Sequence, residues 1–257
     1  MSRRAADDGT SARQDRFDPA RWAALQDAAS DTPAAFLFQR GRELARAAVL
    51  ARWPGDVAAR WLDLGCGPGH LLRDLAGHGR HALGADHDPA MLRFARSDVG
   101  VDVERAALFA AAAARLPLVD GSVDGVVAVS LLGCIADPAP VLREVARVLR
   151  PGGWLIATVT SRSSVLRRIE RALAPRAHRR PATAPEFRAY TVGDAARRLA
   201  AAGFVVERRS GYGFHVSLQG ASRIVPGAAR SRALERWLPE SLAVRVARNV
   251  LLVARRA

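Results

Sequence analysis

The segment WLDLGCGPGHLL, residues 61–72, decides the fold of this chain. An apolar run typical of a buried strand leads directly into three alternating glycines, and a helical pattern begins immediately after them. Glycine is needed in such a turn because the backbone bends tightly and lets a ligand approach more closely than a Cβ would permit. In open α/β sheets, ligands bind at this carboxyl edge of the strands. The segment therefore predicts a nucleotide-binding turn.

On both sides of this segment, short apolar runs alternate with amphipathic helical stretches, which is the pattern of a parallel sheet covered on both faces. Strands are predicted at residues 60–64, 80–85, within 101–111, 123–130, 154–160, 204–209 and 249–254. Helices are predicted at residues 33–53, 70–77, 89–96, 139–149 and 191–202. Five β-α units of this kind form a doubly wound α/β sheet.

The composition is that of a folded chain with one large domain. Of the 257 residues, 49% are hydrophobic and 25% charged, and no apolar run reaches the ~18 residues of a membrane span. Residues 1–16 have almost nothing to bury, so we expect a disordered tail before a single domain over residues 17–257. No secretory signal pattern is present at the N-terminus. Cys66 and Cys134 are not spaced as a metal, redox or disulfide motif, which favours a cytoplasmic protein without a metal site.

The net charge of +14 is concentrated in the last part of the chain. Residues 1–160 hold 19 arginines and 19 acidic residues, whereas residues 161–257 hold 20 arginines and six acidic residues. The sequence contains no lysine, which indicates a compositional bias, but a bias alone would spread the charge evenly. The asymmetry is compatible either with a solvated basic face or with a surface that meets an anionic partner.

A second motif, GADHDPAML at residues 84–92, places Asp86 at the end of the second predicted strand, 21 residues after Gly65. A carboxylate at this position and separation can accept both hydroxyls of a ribose. Asp88 precedes a proline and is predicted to be a helix N-cap. The loop has the spacing GxGxG, so a dinucleotide GxGxxG site is disfavoured, and the absence of a following Lys-Ser/Thr pair disfavours a P-loop.

Four segments carry a family resemblance: DLGCGPG, GADHDPAMLRFAR, LPLVDGSVDGVV and LREVARVLRPGGWLIATV. They resemble the type 11 class I methyltransferases, a family that includes quinone-biosynthesis enzymes, over about residues 60–160, and the likeness recurs at residues 190–206. The resemblance implies a Rossmann-like, doubly wound, mostly parallel sheet of seven strands with helices on both faces and an antiparallel last strand. It also implies S-adenosylmethionine as the cofactor and methyl transfer as the reaction.

The resemblance assigns cofactor-binding roles by position. Asp63, Gly65, Cys66, Gly67 and Gly69 would surround the methionine and ribose parts of the cofactor, with Cys66 as a packing residue. Asp86 would bind the ribose, His87 and Met91 would border the adenine, and Ser130 would contact the cofactor through its backbone.

Ala112 departs from the family pattern. The family usually has an aspartate at this position, four residues before a Leu-Pro pair, where it receives the adenine amino group. The segment FAAAAARLPL at residues 109–118 offers no carboxylate, so we expect backbone groups and packing to hold the adenine. The loss of one such hydrogen bond costs about 1 kcal/mol, which weakens binding several-fold without abolishing it.

The substrate side is less defined by the sequence. The resemblance divides the chain into N-terminal helices that form a lid (residues 17–59), a cofactor-binding core (60–160) and two basic insertions on the substrate side (161–189 and 213–245). His87, Tyr190 and His215 are candidate general bases, but an ordinary packing or surface role is favoured for each, so the catalytic residues remain unassigned. The oligomeric state is also left open.

A basic helix predicted at residues 164–174 has Val165, Leu166, Ile169 and Leu173 on one face and Arg167, Arg168 and Arg171 around the other. It could pack its apolar face on the domain as a lid, or lie on an anionic membrane. The first hypothesis for the function is therefore methyl transfer to a small-molecule acceptor that is hydrophobic or lipid-like. On this hypothesis the protein is cytoplasmic and peripheral to the membrane. RNA is disfavoured as the acceptor because no interleaved aromatics accompany the arginines. A further alternative is that the chain is a non-catalytic binding protein, which only Ala112 suggests. The GxGxG loop disfavours the remaining alternative, an NAD-dependent oxidoreductase.

Overall fold

An eight-stranded mixed sheet forms the centre of the protein, with helices packed on both faces. The structure is a computed structural model, and it describes residues 18–27, 32–53, 59–78, 82–97, 100–101, 106–173, 188–216 and 227–257. The strands are β1 (Trp61–Leu64), β2 (Ala82–Asp86), β3 (Ala106–Ala110), β4 (Val123–Ala128), β5 (Leu149–Ser161), β6 (Ala189–Tyr190), β7 (Phe204–Tyr212) and β8 (Asn249–Arg256). The helices are α1 (Pro19–Asp27), α2 (Pro33–Leu50), α3 (His70–Ala76), α4 (Pro89–Ser97), α5 (Ala139–Val148), α6 (Val165–Leu173), α7 (Val192–Ala201), α8 (Ala228–Trp237) and α9 (Glu240–Val246).

The strand order is β3-β2-β1-β4-β5-β8-β7, and β6 pairs with the end of β5. Strands β1 to β5 pair in parallel, whereas β8 is antiparallel to both β5 and β7. The Rossmann-like class and the antiparallel last strand are confirmed. The predicted count of seven strands omits β6, which has only two residues and is too short to show a period in the sequence.

Two hydrophobic clusters cover the two faces of the sheet. In β1, Leu62 and Leu64 belong to one cluster and Trp61 to the other, as the two-residue period of a strand requires. Val145 of α5 packs in the first cluster, and Val49 of α2 packs in the second. A slip of one residue in β1 would exchange these faces, so the two clusters fix the register of the sheet.

Several element boundaries differ from the prediction. Strand β4 ends at Ala128 and not at residue 130. Strand β5 begins at Leu149, five residues before the predicted start, because Leu149 pairs with Val123 ahead of a register shift. Strand β7 continues to Tyr212, since pairing with β8 extends beyond the apolar run that the sequence shows.

Helix α2 crosses the sheet and forms part of its roof. The Thr32 side chain accepts a hydrogen bond from the Ala35 amide and caps the helix, as expected from Thr-Pro at this point. The helix contacts strands β4, β5, β7 and β8 and helices α1 and α3. A Cβ at Gly41 would lie 2.8 Å from the Tyr212 hydroxyl, so α2 approaches the sheet at a distance that only glycine permits.

Helix α6 differs from the lid arrangement, in which its whole apolar face would pack on the domain. Leu166 packs in a small cluster with Leu238 and Val246, and Glu170 points inward to a buried ion pair with Arg248 (2.6 Å). Val165 and Ile169 are exposed, together with Arg168 and Arg171. The buried Ser164 just before the helix also donates its hydroxyl to the Val246 carbonyl (2.9 Å), whereas Val165 and Ile169 of the apolar face are not covered by the domain.

Three predicted segments lie wholly or partly outside the described residues. The tail at residues 1–16 lies outside them, as do residues 174–187 of the first basic insertion and 217–226 of the second. Within the described ranges, no helix combines the length and apolar content needed to cross a bilayer.

The close packing of the core at Gly125 in β4 can be tested by substitution. A Cβ there would lie 2.4 Å from the Trp61 ring, so Gly125→Ala should lower the free energy of unfolding by about 1–3 kcal/mol. Thermal denaturation measures the change. Gly193→Ala in the first turn of α7 is the matched control, because its Cβ would make only ordinary contacts, with the Arg197 side chain at 3.6 Å and the Thr191 hydroxyl at 3.9 Å. Equal stability of the two variants would contradict the packing described here.

Candidate active site

The glycine turn after β1 has the tight backbone that the sequence predicts. Gly65 and Gly67 adopt φ values of 72° and 51°, in the left-handed region that favours glycine. The Gly65 and Cys66 amides both donate to the Ala85 carbonyl, at 2.8 and 3.1 Å. The turn is therefore tied to the end of β2.

Gly69 has a structural position that the sequence did not anticipate. It is the N-cap of α3 with a φ of 81°, and a Cβ there would lie 2.5 Å from Val101 Cγ2 and 3.0 Å from Ala95 Cβ. Its lack of a side chain lets α3 pack against α4 and the residues that follow it. It does not belong to the wall of the cavity described below.

Asp86 connects the glycine turn to the end of β2. One carboxylate oxygen accepts from the Gly67 amide (2.9 Å) and the other from the Asp88 amide (3.0 Å), with His87 Nδ1 3.3 Å away. Burial would raise the pKa of Asp86, but these hydrogen bonds outweigh burial and hold it below its usual value. The carboxylate is therefore oriented and charged at neutral pH. Asp88 accepts from the Ala90 amide (2.8 Å), in agreement with its predicted role at the start of α4.

Asp63 provides a second buried carboxyl group beside the first. It lies at the third position of β1, opposite Gly84 of β2, and is 5% exposed. Burial, and then the negative charge of Asp86, raise the pKa of Asp63 to about 7. A site with this electrostatic character favours a ligand that carries positive charge and hydrogen-bond donors.

These groups open into one cavity of about 490 Å³ at the carboxyl edge of the sheet. This volume lies within the range of small-molecule and cofactor sites. Nine of the ten predicted site residues line the cavity: Asp63, Gly65, Cys66, Gly67, Asp86, His87, Met91, Ala112 and Ser130. The sequence motifs thus predicted residues that converge in space.

The wall at Ala112 is formed by four consecutive alanines, residues 111–114. The Ala111 amide donates to the Asp86 carbonyl (2.9 Å), and Ala112 forms an isolated bridge with Arg115. The carboxyl groups that the described lining contributes come from Asp63, Asp86 and Asp88. The wall on the alanine side is accordingly apolar and made of backbone and methyl groups.

The cavity also has a roof, and the sequence did not predict which residues form it. Trp22 and Gln26 of α1 and Phe38 and Arg42 of α2 line it. The Trp22 and Phe38 rings meet edge to face with centroids 4.9 Å apart. The guanidinium of Arg42 pairs with Asp74 (3.2 Å) and donates to Gln26 (3.2 Å). A helix entering the domain was predicted, but amphipathic spacing alone does not show which residues reach a distant cavity.

Two of the three candidate bases lie away from the cavity wall. His215 is fully buried against Phe36, and burial together with Arg248 and Arg167 lowers its pKa to about 3. Tyr190 donates its hydroxyl proton to the Leu132 carbonyl (3.1 Å). His87 does line the cavity, and its hydrogen bond to Asp86 raises its pKa.

Both cysteines line the cavity, and neither has the character of a nucleophile. Burial, followed by the charges of Asp63 and Asp86, raises the pKa of Cys66. Burial and then the charge of Asp86 raise the pKa of Cys134 to about 11, and its Sγ lies 3.4 Å from the Ser130 carbonyl. Since the thiolate is the reactive form, these groups act as packing residues at neutral pH.

The fold and the cavity together define a class of protein. A doubly wound sheet with a GxGxG turn after β1, an acidic residue at the end of β2 and an antiparallel β8 inserted between β5 and β7 is the architecture of class I methyltransferases. The family model described as a methyltransferase domain matches residues 62–157. This segment is similar to methyltransferase domains of the type 11 class, and S-adenosylmethionine is the cofactor that the family indicates.

Individual proteins agree with this assignment. The chain is 35% identical over 107 residues to a ubiquinone biosynthesis O-methyltransferase of Marinobacter nauticus, covering 40% of this chain and 45% of that one. It is 42% identical over 104 residues to an uncharacterized methyltransferase of Mycobacterium bovis, covering 38% and 39%. The chain therefore spans less than half the length of these curated relatives.

A solved structure resembles nearly the whole chain. Magnesium protoporphyrin IX methyltransferase from Synechocystis, with bound S-adenosylhomocysteine, has a TM-score of 0.65 and 15% identity, covering 96% of this chain and 100% of that one. At this identity the likeness establishes the fold, and it extends beyond residues 62–157.

The pKa of Asp63 leads to a pH prediction. Its native pKa of about 7 exceeds the ordinary value of 3.8, so the native state binds more protons than the unfolded state between these pH values. The stability of the protein should fall as pH rises through this window. Asp63→Asn removes the penalty and should become more stable relative to the parent, by the order of a few kcal/mol from pH 4 to pH 8.

Chemical denaturation across this pH range measures the effect. Glu207→Gln, which removes an exposed carboxyl group from β7, is the matched control. A stability difference for Asp63→Asn that is independent of pH would show that Asp63 is ionised throughout, contrary to the account.

Proposed function

We propose that the protein transfers a methyl group from S-adenosylmethionine to a hydrophobic small molecule. The observation that carries the proposal is the pair of buried carboxyl groups, Asp63 and Asp86, beside a glycine turn in a cavity whose other walls are largely apolar. When bound, the cofactor supplies a methyl group that its sulfonium charge already activates.

The residues present fit this cofactor. Both oxygens of Asp86 are fixed by backbone amides and retain lone pairs that can accept from the two ribose hydroxyls. Asp63 supplies negative charge toward the ammonium and sulfonium groups, and Arg42 supplies a guanidinium that can bind a carboxylate. Met91 and Ala112 provide apolar contacts for the adenine, and His87 borders it. Ser130 offers backbone groups near the glycine turn.

The chain's own task in such a reaction is alignment. Methyl transfer is an in-line displacement, so the protein must hold the acceptor against the methyl group and keep water out. A general base is needed only where the acceptor must lose a proton. The roof of α1 and α2 over the cavity provides the exclusion of water, and no general base is assigned.

The acceptor class follows from the apolar part of the cavity. Trp22 and Phe38 form an aromatic corner, and Leu131, Ile135 and Val141 line the same cavity. Such a wall favours a flat apolar acceptor over a polar one. The quinone-biosynthesis relative matches only the core, so it supports a small-molecule acceptor without defining it.

Label transfer tests the acceptor class. The purified protein is incubated with methyl-labelled S-adenosylmethionine and, separately, a lipid-soluble metabolite extract, total RNA and denatured protein. We expect label in the organic-extractable products, reduced at least tenfold in a Trp22→Ala/Phe38→Ala variant. Val205→Ala, which removes an exposed apolar side chain of β7, is the control. Label confined to RNA or protein would contradict the small-molecule assignment.

We further propose that an anionic membrane surface is the partner of the basic C-terminal region. Helices α6, α8 and α9 are neighbours, since α6 contacts α9 and α9 begins three residues after α8 ends. The exposed apolar residues on these helices are Val165, Ile169, Leu234, Trp237 and Leu242, and Trp237 is 83% exposed. Exposed arginines at positions 168, 171, 236 and 245 accompany them. Apolar side chains with surrounding arginines are typical of a surface that inserts shallowly into anionic lipid.

Vesicle binding tests this surface. Each arginine near an anionic membrane contributes about 1 kcal/mol, so Arg168→Ala/Arg171→Ala should weaken binding to phosphatidylglycerol-containing vesicles about 30-fold. Trp237→Ala should weaken it independently of salt. The control is Arg93→Ala/Arg143→Ala, which removes two exposed arginines from α4 and α5. An equal loss in the control pair, or equal binding to neutral vesicles, would refute a specific membrane surface.

Ala112 gives a gain-of-affinity prediction for the adenine side. Ala112→Asp restores a hydrogen-bond acceptor at this wall of the cavity and should tighten S-adenosylhomocysteine binding by about fivefold, measured by calorimetry. Ala114→Asp places the same charge two residues away and should not tighten binding. If both variants bind equally, Ala112 does not face the adenine.

A further inference from the structure

Ser130 has an unusual backbone conformation at the end of β4. Its φ of 60° makes it the one non-glycine residue with positive φ within the described ranges. An L-residue adopts this region only when its surroundings hold it there, and such residues cluster at functional sites. Ser130 lines the cavity, so the cause of its conformation bears on the shape of the site.

The hydroxyl of Thr158 holds Ser130 in place. The parallel pairing of β4 with β5 ends at Ala128 and Ala157, one residue before Thr158. Beyond that point the Ser130 amide donates to Thr158 Oγ1 at 2.7 Å, so a side chain replaces the carbonyl that a continued strand would have provided. Thr158 is 2% exposed, and without its oxygen the amide would lose this partner.

Thr158 is in turn connected to two further buried side chains. Its hydroxyl is hydrogen bonded to that of Tyr212, and Asn249 Nδ2 donates to the Tyr212 hydroxyl at 3.2 Å. Tyr212 and Asn249 are register partners in β7 and β8, so the chain of side chains crosses three strands. Burial raises the pKa of Tyr212 to about 12, which keeps its hydroxyl protonated.

The conformation of Ser130 determines where the next residues lie. Leu131 Cδ1 would be 2.8 Å from a Cβ at Gly65, so the leucine packs directly on the glycine turn. The Ser130 carbonyl also receives the Cys134 thiol at 3.4 Å. A rotation of Ser130 into an ordinary conformation would move Leu131 off the turn and change this wall of the cavity.

We infer that Thr158, Tyr212 and Asn249 are positioning residues that hold Ser130 in its left-handed conformation and so seat Leu131 against the cofactor-binding glycine turn. The inference rests on the proposed function, because the ligand that would sense the position of Leu131 is the cofactor. These three side chains form one hydrogen-bonded chain, which starts under helix α2, where Gly41 leaves space for the Tyr212 hydroxyl.

The test compares the effect of Thr158→Val in two backgrounds, the parent protein and Ser130→Gly. Glycine adopts positive φ without help, so the need for Thr158 should disappear in the second background. We expect Thr158→Val to weaken S-adenosylhomocysteine binding about fivefold in the parent and less than twofold with Ser130→Gly. Thr158→Ser, which keeps the hydroxyl, should bind as the parent does. Thr160→Val, two residues further along β5, is the matched control and should have no effect.

Thermal denaturation of the same variants separates positioning from a structural role. The midpoint should fall by a similar amount for Thr158→Val in both backgrounds, while the loss of binding depends on the background. If Thr158→Val does not fold, Tyr212→Phe measured in both backgrounds carries the test.

Equal losses of affinity in the two backgrounds, in a parent that binds S-adenosylhomocysteine, would overturn this inference and leave the proposed function intact. A parent protein that does not bind S-adenosylhomocysteine would overturn both.

Discussion

The hydrogen bond from the Gly67 amide to the Asp86 carboxylate, 2.9 Å long, is the contact on which the site depends. It joins the turn after β1 to the end of β2 and fixes the carboxylate in the orientation that a ribose would need. Gly67 makes this bond with a φ of 51°, in the left-handed region that glycine adopts without strain. The parallel register of β1 and β2 places the two strand ends side by side, so the position of the carboxylate follows from the sheet.

The same arrangement sets the electrostatics of the cavity. Asp86 is stabilised in its charged form by amides and His87, whereas Asp63 lies deeper and is pushed toward its neutral form by burial and by Asp86. Two neighbouring carboxyl groups in an otherwise apolar cavity have an unfavourable electrostatic free energy, which a cationic ligand would lower. Side chains of α1 and α2 line the same cavity, and a ligand that fills the space beneath them would strengthen these interactions by displacing water. Cofactor recognition and the exclusion of solvent are therefore linked through the N-terminal helices.

The sequence predicted the parts of this site that local constraints determine. Glycines at a strand-to-helix turn and an aspartate at the next strand end have few alternatives, and the structure brings them together, although their binding roles stay predictions. Trp22, Phe38 and Arg42 were not predicted, because their place in the roof depends on how helices dock across the whole sheet. Gly69 was predicted to contact the cofactor, but it lies outside the lining of the cavity and allows α3 to pack closely against α4. The inward position of Glu170 could not be read from an amphipathic pattern, since its buried partner Arg248 is distant in sequence.

Calorimetric titration with S-adenosylhomocysteine tests the central claim most directly, using the parent protein and Asp86→Ala, with NAD as a control ligand. We expect micromolar binding to the parent, a loss of at least tenfold in the variant, and no measurable binding of NAD. Binding that is unchanged in Asp86→Ala, or a preference for NAD, would contradict the assignment of this cavity to the methyl donor.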